Sequence, residues 1–224
     1  MFLWADLAGM VLHPFQALPE IDRRRKLAEG ALALALAVLV PALLAELGAT
    51  APYRPPAQLD SLPSLTTQGL DIYARWVYQH RFVIPAVGAL ASLGLWLLAA
   101  LLIHAGARAL NGSGSLSGLI KLVGFVALVG LITLPVSLLE ALTRFSPNPS
   151  ARASLASLES IVGLGIFLWQ NFLLILAAQA HYGLSIGRSV TAVLGPIGCL
   201  LLLGLALVVL AVVATVLVRP AGSL

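Results

Sequence analysis

The stretch that decides the fold runs from Leu101 to Glu140 and reads LLIHAGARALNGSGSLSGLIKLVGFVALVGLITLPVSLLE. Two apolar runs flank a short polar turn from Arg108 to Ser117, in which Asn111 and Gly112 supply the backbone angles that a tight reversal needs. Both runs are too long and too apolar for water. The stretch therefore predicts a membrane-spanning hairpin with its turn at one surface.

The composition is that of an integral membrane protein. Of the 224 residues, 60% are apolar and only 10% are charged, whereas soluble domains are about 25% charged. The net charge of +4 does not indicate nucleic-acid binding, because the thirteen Lys and Arg residues are scattered except for one cluster from Arg23 to Lys26. Basic residues beside a span fix its orientation or contact anionic lipids. The single cysteine, Cys199, excludes an internal disulfide.

Five apolar runs predict an all-α, polytopic membrane protein, a bundle of five transmembrane helices. The transmembrane domain is expected over residues 30–218, with spans at about 30–47, 82–106, 119–139, 161–180 and 190–218. Pro41 predicts a kink in the first span, since it leaves the carbonyl of Ala37 without its helical partner. Gly183 predicts the end of the fourth span, and Ser185 predicts the N-cap of the next helix.

Residues 1–29 are expected to form a cytoplasmic interfacial segment. Leu3, Leu7 and Met10 fall at helical spacing and predict an amphipathic helix that lies on the membrane. Pro14 suits the first turn of a second short helix. A cleavable signal formed by the basic cluster and the first apolar run is the alternative, and the long segment that precedes the run disfavours it.

Two longer polar loops are expected on the other side of the membrane. Residues 48–81 form the external loop, with an irregular, proline-rich first half. Its second half, 68–80, predicts an amphipathic helix that places Tyr73 and Trp76 at the membrane interface. Residues 140–160 are expected to form a second polar loop on this side.

The basic cluster sets the predicted orientation. Positive charges that directly precede a span stay in the cytoplasm, so the N-terminus is expected to be cytoplasmic and the C-terminus external in the cell membrane. The turns at 107–118 and 181–188 then share the cytoplasmic side. The basic residues of the expected cytoplasmic partner surface are Arg23, Arg24, Arg25, Lys26, Arg108 and Arg188.

Two carboxamides near the middle of the fourth span, Gln170 and Asn171 beside Trp169, are the candidate intramembrane polar contact. Amide side chains in hydrocarbon need partners. The simpler interpretation is a contact between helices, which is typically worth about 0.6 kcal/mol. The alternative is a polar pore or ligand contact. Small residues expected to bring helices close together are Gly124, Gly130, Gly163 and Gly165.

No set of residues predicts catalysis, a metal site or a cofactor, and we expect the protein not to be an enzyme. The histidines are far apart in the sequence, and the turn at 111–115 lacks the Gly-Lys-Ser/Thr that a phosphate loop needs, so it is interpreted as a flexible turn. Snorkelling at the interface is the expected role of the ionisable groups near span ends. These groups are Glu46, His104, Lys121, Glu140, Glu159 and His181.

An ordered set of short motifs runs through most of the chain. The motifs are His13-Pro14-Phe15 before the first span, Leu110–Ser115 (LNGSGS), Gly124-Phe125 and Pro135 in the hairpin, and Trp169 followed by His181–Arg188 (HYGLSIGR). Together they resemble the Yip family of five-span membrane proteins, named for interacting with Ypt/Rab GTPases, and especially its bacterial branch. Asp6-Leu7-Ala8-Gly9 is similar to the acidic-leucine-glycine motif of the eukaryotic members, but lacks the proline that follows it there.

The resemblance implies a cytoplasmic N-terminus, an external C-terminus and no enzyme activity. It also implies a role in vesicle traffic for eukaryotic members and a link of some bacterial relatives to ABC-type export systems. Three functions therefore stay open, the third being an intramembrane enzyme, which a loss of activity on Gln170→Leu or His104→Ala would support. The first is a non-catalytic membrane scaffold or accessory subunit that binds lipids and a membrane-protein partner or a second copy of itself. The second is a small transporter, channel or export component, favoured if Gln170 and Asn171 line a wet path instead of bonding to neighbouring helices.

Overall fold

The computed structural model describes residues 3–53, 64–143, 145, 149–196 and 198. Every regular element within these ranges is helical. In chain order the helices are α1 (Leu3–Leu12), α2 (Pro14–Arg24), α3 (Leu27–Ala49), α4 (Ser64–Gln79), α5 (Val83–Ala109), α6 (Leu116–Leu128), α7 (Leu134–Thr143) and α8 (Pro149–Tyr182). A 3₁₀ segment, Val129–Thr133, joins α6 to α7, and a further helix, α9, begins at residue 186 and is described to 196.

Four units within the described residues are long and apolar enough to cross a membrane: α3, α5, the continuous α6–α7 unit and α8. The prediction of an all-α polytopic membrane protein is confirmed. The fifth predicted span, 190–218, extends beyond the described residues, as do Cys199 and the C-terminus. The predicted polar loop at 140–160 is wrong over most of its length, because α8 already begins at Pro149. A proline at the start of a helix loses no hydrogen bond, since the first N–H groups have no intrahelical partner.

The centre of the bundle is α6, whose residues from Lys121 to Leu128 are all buried. Its closest neighbour is α3, and two glycines allow the approach. A Cβ atom added to Gly124 would lie 2.0 Å from the carbonyl oxygen of Gly30, and one added to Gly30 would lie 2.5 Å from the Cα of Lys121. Only glycine at both positions lets the two backbones meet in this way.

The third span changes from α-helix to 3₁₀-helix near its middle, and Pro135 explains part of the change. Proline has no N–H, so the carbonyl of Leu131 cannot receive the usual bond from four residues ahead. The N–H of Leu134 bonds to that carbonyl instead, which is the shorter spacing of a 3₁₀ turn. The span continues as α7 without leaving the bundle.

The N-terminal helices pack against the bundle. Leu7 and Met10 of α1 and Leu18 and Ile21 of α2 are buried in the same core as Phe125 of α6. The two helices predicted around Pro14 are therefore present, but the apolar face expected to lie on the membrane is covered by α6 and α8.

The two ends of the bundle differ in what they carry. We call the end that holds the reversal at 110–115, the end of α2 and the end of α8 the turn end. We call the opposite end, which holds residues 50–53, α4 and the end of α7, the loop end. In α4, Ile72, Tyr73 and Trp76 are exposed, on the helix that the sequence predicted for this stretch.

Candidate functional site at the turn end

One carboxylate joins three helices at the turn end. Asp22, near the end of α2, lies with one oxygen 2.8 Å from Lys121 Nζ on α6 and with the other 2.8 Å from His181 Nδ1 on α8. Lys121 Nζ also donates to the backbone carbonyl of Asp22. Residues 22, 121 and 181 are far apart in the sequence, so this contact fixes the N-terminal helices against the centre of the bundle.

The partners of Asp22 favour its charged form. Burial alone acts to raise the pKa of this carboxyl, but the hydrogen bonds and positive charges of Lys121 and His181 outweigh burial and lower it below its ordinary value. Lys121 is buried, at 8% exposure. An ammonium group at that depth is stabilised mainly by its carboxylate partner, because the loss of water around it is costly.

His181 carries the contact on to the turn. Its Nε2 lies 3.0 Å from the backbone nitrogen of Ser115 and 2.9 Å from the backbone oxygen of the same residue. Gly114 and Gly118 leave room for the ring, since a Cβ at either position would lie 2.5 Å or less from an imidazole carbon. The turn was interpreted from the sequence as flexible, and this is wrong: it packs directly on the end of α8.

Tyr182 completes the junction between the turn, α5 and α8. Its hydroxyl lies 2.5 Å from His104 Nδ1 on α5, and its carbonyl accepts a hydrogen bond from the N–H of Ser113. Asn111 has a φ of 65°, the left-handed conformation that the sequence predicted for the reversal. The side chain of Ser115 accepts from the N–H of Gly118 and caps α6.

A second buried carboxylate holds α1 against the end of α2. Asp6 is 4% exposed, and its oxygens lie 2.8 Å from Arg24 and 2.6 Å from Arg25. Arg25 also pairs with Glu29 at 2.8 Å. Burial acts to lower the pKa of the Arg25 guanidinium, but the hydrogen bonds and charges of Glu29 and Asp6 outweigh it and raise the pKa. Part of the basic cluster is thus neutralised within the protein.

The residues predicted as a partner surface do not form one uniform basic patch. Arg23 and Arg188 are exposed, and Arg23 Nε donates to the carbonyl of Pro19. Arg108 donates to the carbonyl of Gly112 and so stabilises the turn. Lys26 is exposed beside the start of α3, where its N–H donates to the carboxylate of Glu29.

The two central carboxamides have different partners. Gln170 Nε2 lies 3.2 Å from the carbonyl oxygen of Ala127 and 3.4 Å from that of Val126, at the end of α6. Both carbonyls also accept from the N–H of Val129, where the helix changes to the 3₁₀ pattern. Asn171 instead donates to the carbonyl of Phe167, four residues earlier in its own helix. Only Gln170 therefore bonds to a neighbouring helix.

The predicted packing glycines and interfacial charges divide into two groups. A Cβ on Gly124 would meet the backbone of α3 and one on Gly130 would meet Gln170 at 3.2 Å, but one on Gly163 or Gly165 would have nothing within 4 Å among the described residues. The expectation was wrong for those two glycines. It was also wrong that Lys121 and His181 act only by snorkelling, because both bond to Asp22.

Sequence reasoning missed Asp6, Asp22 and Gly30. Each lies in a short N-terminal stretch that was interpreted as an interfacial segment or a span start, so no partner was sought for it. The signal that was present is the count of charges: Asp6 and Asp22 lie in a mostly apolar chain close to the densest basic cluster. A buried carboxylate needs a cation, and for Asp6 the basic cluster supplies it, whereas nothing in the sequence pointed to Lys121 and His181 as the partners of Asp22.

Asp22, His181 and Ser115 are the residue types of a catalytic triad, and they contact one another in the order carboxylate, imidazole, serine. Their geometry is not that of a triad. His181 Nε2 meets the backbone of Ser115, whereas the hydroxyl of Ser115 is 3.1 Å from the N–H of Gly118 and 3.3 Å from the hydroxyl of Ser117. A nucleophilic serine needs its hydroxyl bonded to the base. The contacts therefore act as a structural latch, which we call the Asp22 latch: Asp22, Lys121, His181 and Ser115.

The model of the Yip1 domain family matches residues 8–215, which is most of the chain and includes the whole of the Asp22 latch. No curated protein and no solved structure matches.

Proposed function

The chain belongs to the Yip1 domain family, and from this premise we propose that it is a non-catalytic membrane scaffold or accessory subunit that acts through partner proteins at its turn end. The partner is a membrane-associated protein or a second copy of the chain, and lipids surround the spans. Placement in the bacterial branch of the family stays a prediction.

The observation that carries the proposal is the joining of three distant stretches into one surface. The end of α2, the turn at 110–115 and the end of α8 are held together by the Asp22 latch and by the bond from Ser113 to Tyr182. A surface that is fixed before binding loses little conformational entropy when a partner docks. The hydroxyl of Ser115 bonds to Gly118 and Ser117 and not to His181, which supports a structural role for the latch over a catalytic one.

The turn end faces the cytoplasm in this proposal. The basic cluster directly precedes the first span, and positive charges in such a place are retained on the cytoplasmic side. The N-terminus is then cytoplasmic and the C-terminus external, in the cell membrane. The exposed cations that remain at this end, Arg23, Lys26 and Arg188, supply the charge that an acidic partner surface recognises.

The proposal is tested by reversing charge at one end of the bundle at a time. We expect Arg23→Glu and Arg188→Glu together to abolish the co-purification of the partner, or of the second copy, from cells after gentle detergent extraction. The matched control is Arg75→Glu on α4, an exposed arginine at the loop end. Recovery of the bare monomer from the unmodified protein, or loss of the partner with Arg75→Glu alone, contradicts the proposal.

The alternative, a small transporter, channel or export component, draws on Gln170 and Asn171. The side-chain amide of Gln170 donates to carbonyls of α6, and that of Asn171 donates to a carbonyl of its own helix. Neither contact needs a transported ligand. The geometry of these two residues thus supports helix packing, and the scaffold is the function that we propose.

A further inference from the structure

We propose that α1 and α2 form a re-entrant hairpin, which enters the membrane from the turn end and presents its outer face to the acyl chains of one leaflet. This placement of α1 and α2 does not depend on the scaffold role. The proposed orientation decides only whether the hairpin enters the cytoplasmic or the external leaflet. It replaces the sequence expectation of a helix that lies flat on the surface.

The charged residues at the two ends of the third span indicate how deep each part of the bundle lies in the membrane. Lys121 lies near the turn end and Glu140 near the loop end, and the helical unit between them is about 30 Å long at the usual rise per residue. This length equals the thickness of the hydrocarbon core, about 30 Å. The middle of the span, near Gly130, therefore marks the membrane midplane. Gln170, next to Gly130, places the middle of α8 at the same level.

The tip of the hairpin lies near this midplane. The rings of Phe15 and Phe172 are in edge-to-face contact, with centroids 6.0 Å apart. One cavity of about 360 Å³ is lined by both Trp169 of α8 and the tip residues around His13 and Pro14. Helix α1 also contacts the 3₁₀ segment at the middle of the third span. The open end, in contrast, is fixed at the level of Lys121 by Asp22, about 12 Å away along α2.

The distribution of charge and exposure agrees with this depth. No Asp, Glu, Lys or Arg occurs from residue 7 to residue 19, whereas Asp6, Glu20 and the basic cluster all lie toward the open end. Uncharged runs of roughly 10–14 residues are too short to span and are typical of re-entrant segments. Leu12 and Phe15 are nevertheless exposed, at 69% and 67%. Phe167 and Leu168 on α8, one turn before Phe172, are exposed apolar side chains as well.

Trp4 fits the same placement. It lies at the open end of the hairpin, close in sequence to Asp6, and is 69% exposed. Tryptophan is enriched at the level of the lipid headgroups, where its ring is both apolar and able to donate a hydrogen bond. The hairpin thus has its charges and Trp4 at the open end, and no Asp, Glu, Lys or Arg at the tip, where His13 and Gln16 are exposed polar side chains.

Site-directed spin labelling of the full chain in liposomes tests the proposal. Single cysteines replace Leu12 or Phe15 in a Cys199→Ser background, and relaxation by oxygen, which concentrates in lipid, is compared with relaxation by a water-soluble nickel chelate. The matched controls are Leu168→Cys on α8, at the same expected depth, and Ser113→Cys, in the turn. Both tip positions are exposed, so the labels do not disturb the core.

We expect the ratio of oxygen to nickel accessibility at residues 12 and 15 to match that at residue 168 and to exceed that at residue 113. A ratio equal to that at residue 113 would overturn the proposal, because the hairpin would then lie in water. Shielding of both labels from both reagents would overturn it as well, because protein and not lipid would cover the hairpin.

Discussion

The two ends of the bundle are held together in different ways. At the turn end, Asp22 ties α2 to α6 and α8, and His181 carries the contact on to the reversal. At the loop end, one of the contacts between α7 and α8 is a 2.6 Å hydrogen bond from Ser137 to Glu159. A cavity of about 150 Å³ lies between α3 and these helices there and is lined by Pro41 and Ser137 among other residues.

The difference shows where the fold is fixed by charge. At the turn end, Asp22 forms an ion pair with Lys121, 99 positions away, and a hydrogen bond with His181, 159 positions away, and both contacts are partly withdrawn from water. Breaking such a pair leaves a buried charge without compensation, which costs more than breaking an exposed one. The turn end is therefore expected to resist local opening, while the loop end yields first.

The largest expected effect comes from removing the carboxylate of the Asp22 latch. We expect Asp22→Asn to lower the free energy of unfolding by about 3 kcal/mol, because Lys121 stays buried without a counter-charge. The value is at the low end for buried pairs, since the side chain of Asp22 keeps 20% of its exposure. Unfolding in mixed detergent micelles measures the change.

The matched control is Glu20→Gln, which removes an exposed carboxylate 3.3 Å from Arg24 on the same helix. It is expected to change stability by less than about 1 kcal/mol. The dependence of the free energy of unfolding on pH gives a second measurement. Because the pKa of Asp22 is lowered in the folded protein, its contribution is complete at neutral pH and is lost as the pH falls below the ordinary carboxyl range. Equal stability losses from the two substitutions would show that charge does not distinguish the turn end.

The next effect separates close packing from charge at the same level of the bundle. We expect Gly124→Ala to destabilise the protein by about 2 kcal/mol, because the added methyl group meets the backbone of α3 and the helices must move apart. Gly165→Ala is the control, since a Cβ there has nothing within 4 Å and alanine favours a helix. Equal free energies of unfolding for the two variants would show that the contact between Gly124 and Gly30 does not hold α3 and α6 together.

The sequence predicted an all-α membrane protein correctly, because the signal of an apolar helix is local. A run of apolar residues about 20 long has few alternatives to a membrane helix, and the described residues include four helical units of this kind. The reversal was predicted for the same reason, since Asn111 and its glycines indicate a turn without reference to the rest of the chain.

The Asp22 latch could not be predicted in this way. Its partners are set by which helix packs beside which, and the α1–α2 hairpin reaches α6 and α8 only once the bundle has formed. The same holds for the glycines. Gly124 and Gly165 look alike in the sequence, but only Gly124 faces another backbone. Helical periodicity gives the face of a residue, and the fold decides what lies opposite that face.

The smallest expected change in the free energy of unfolding comes from a substitution at the loop end. Ser137→Ala removes the hydroxyl that donates to Glu159, and we expect it to cost about 1 kcal/mol, because Glu159 is only partly buried and water can replace the lost donor. Unfolding in mixed micelles measures the cost, and cysteine accessibility at the loop end shows whether α7 and α8 separate there. A loss as large as that of Asp22→Asn would contradict the view that this end is the weaker one. An unchanged stability together with faster labelling at the loop end would sharpen it, because the hydrogen bond would then govern local opening and not the global fold.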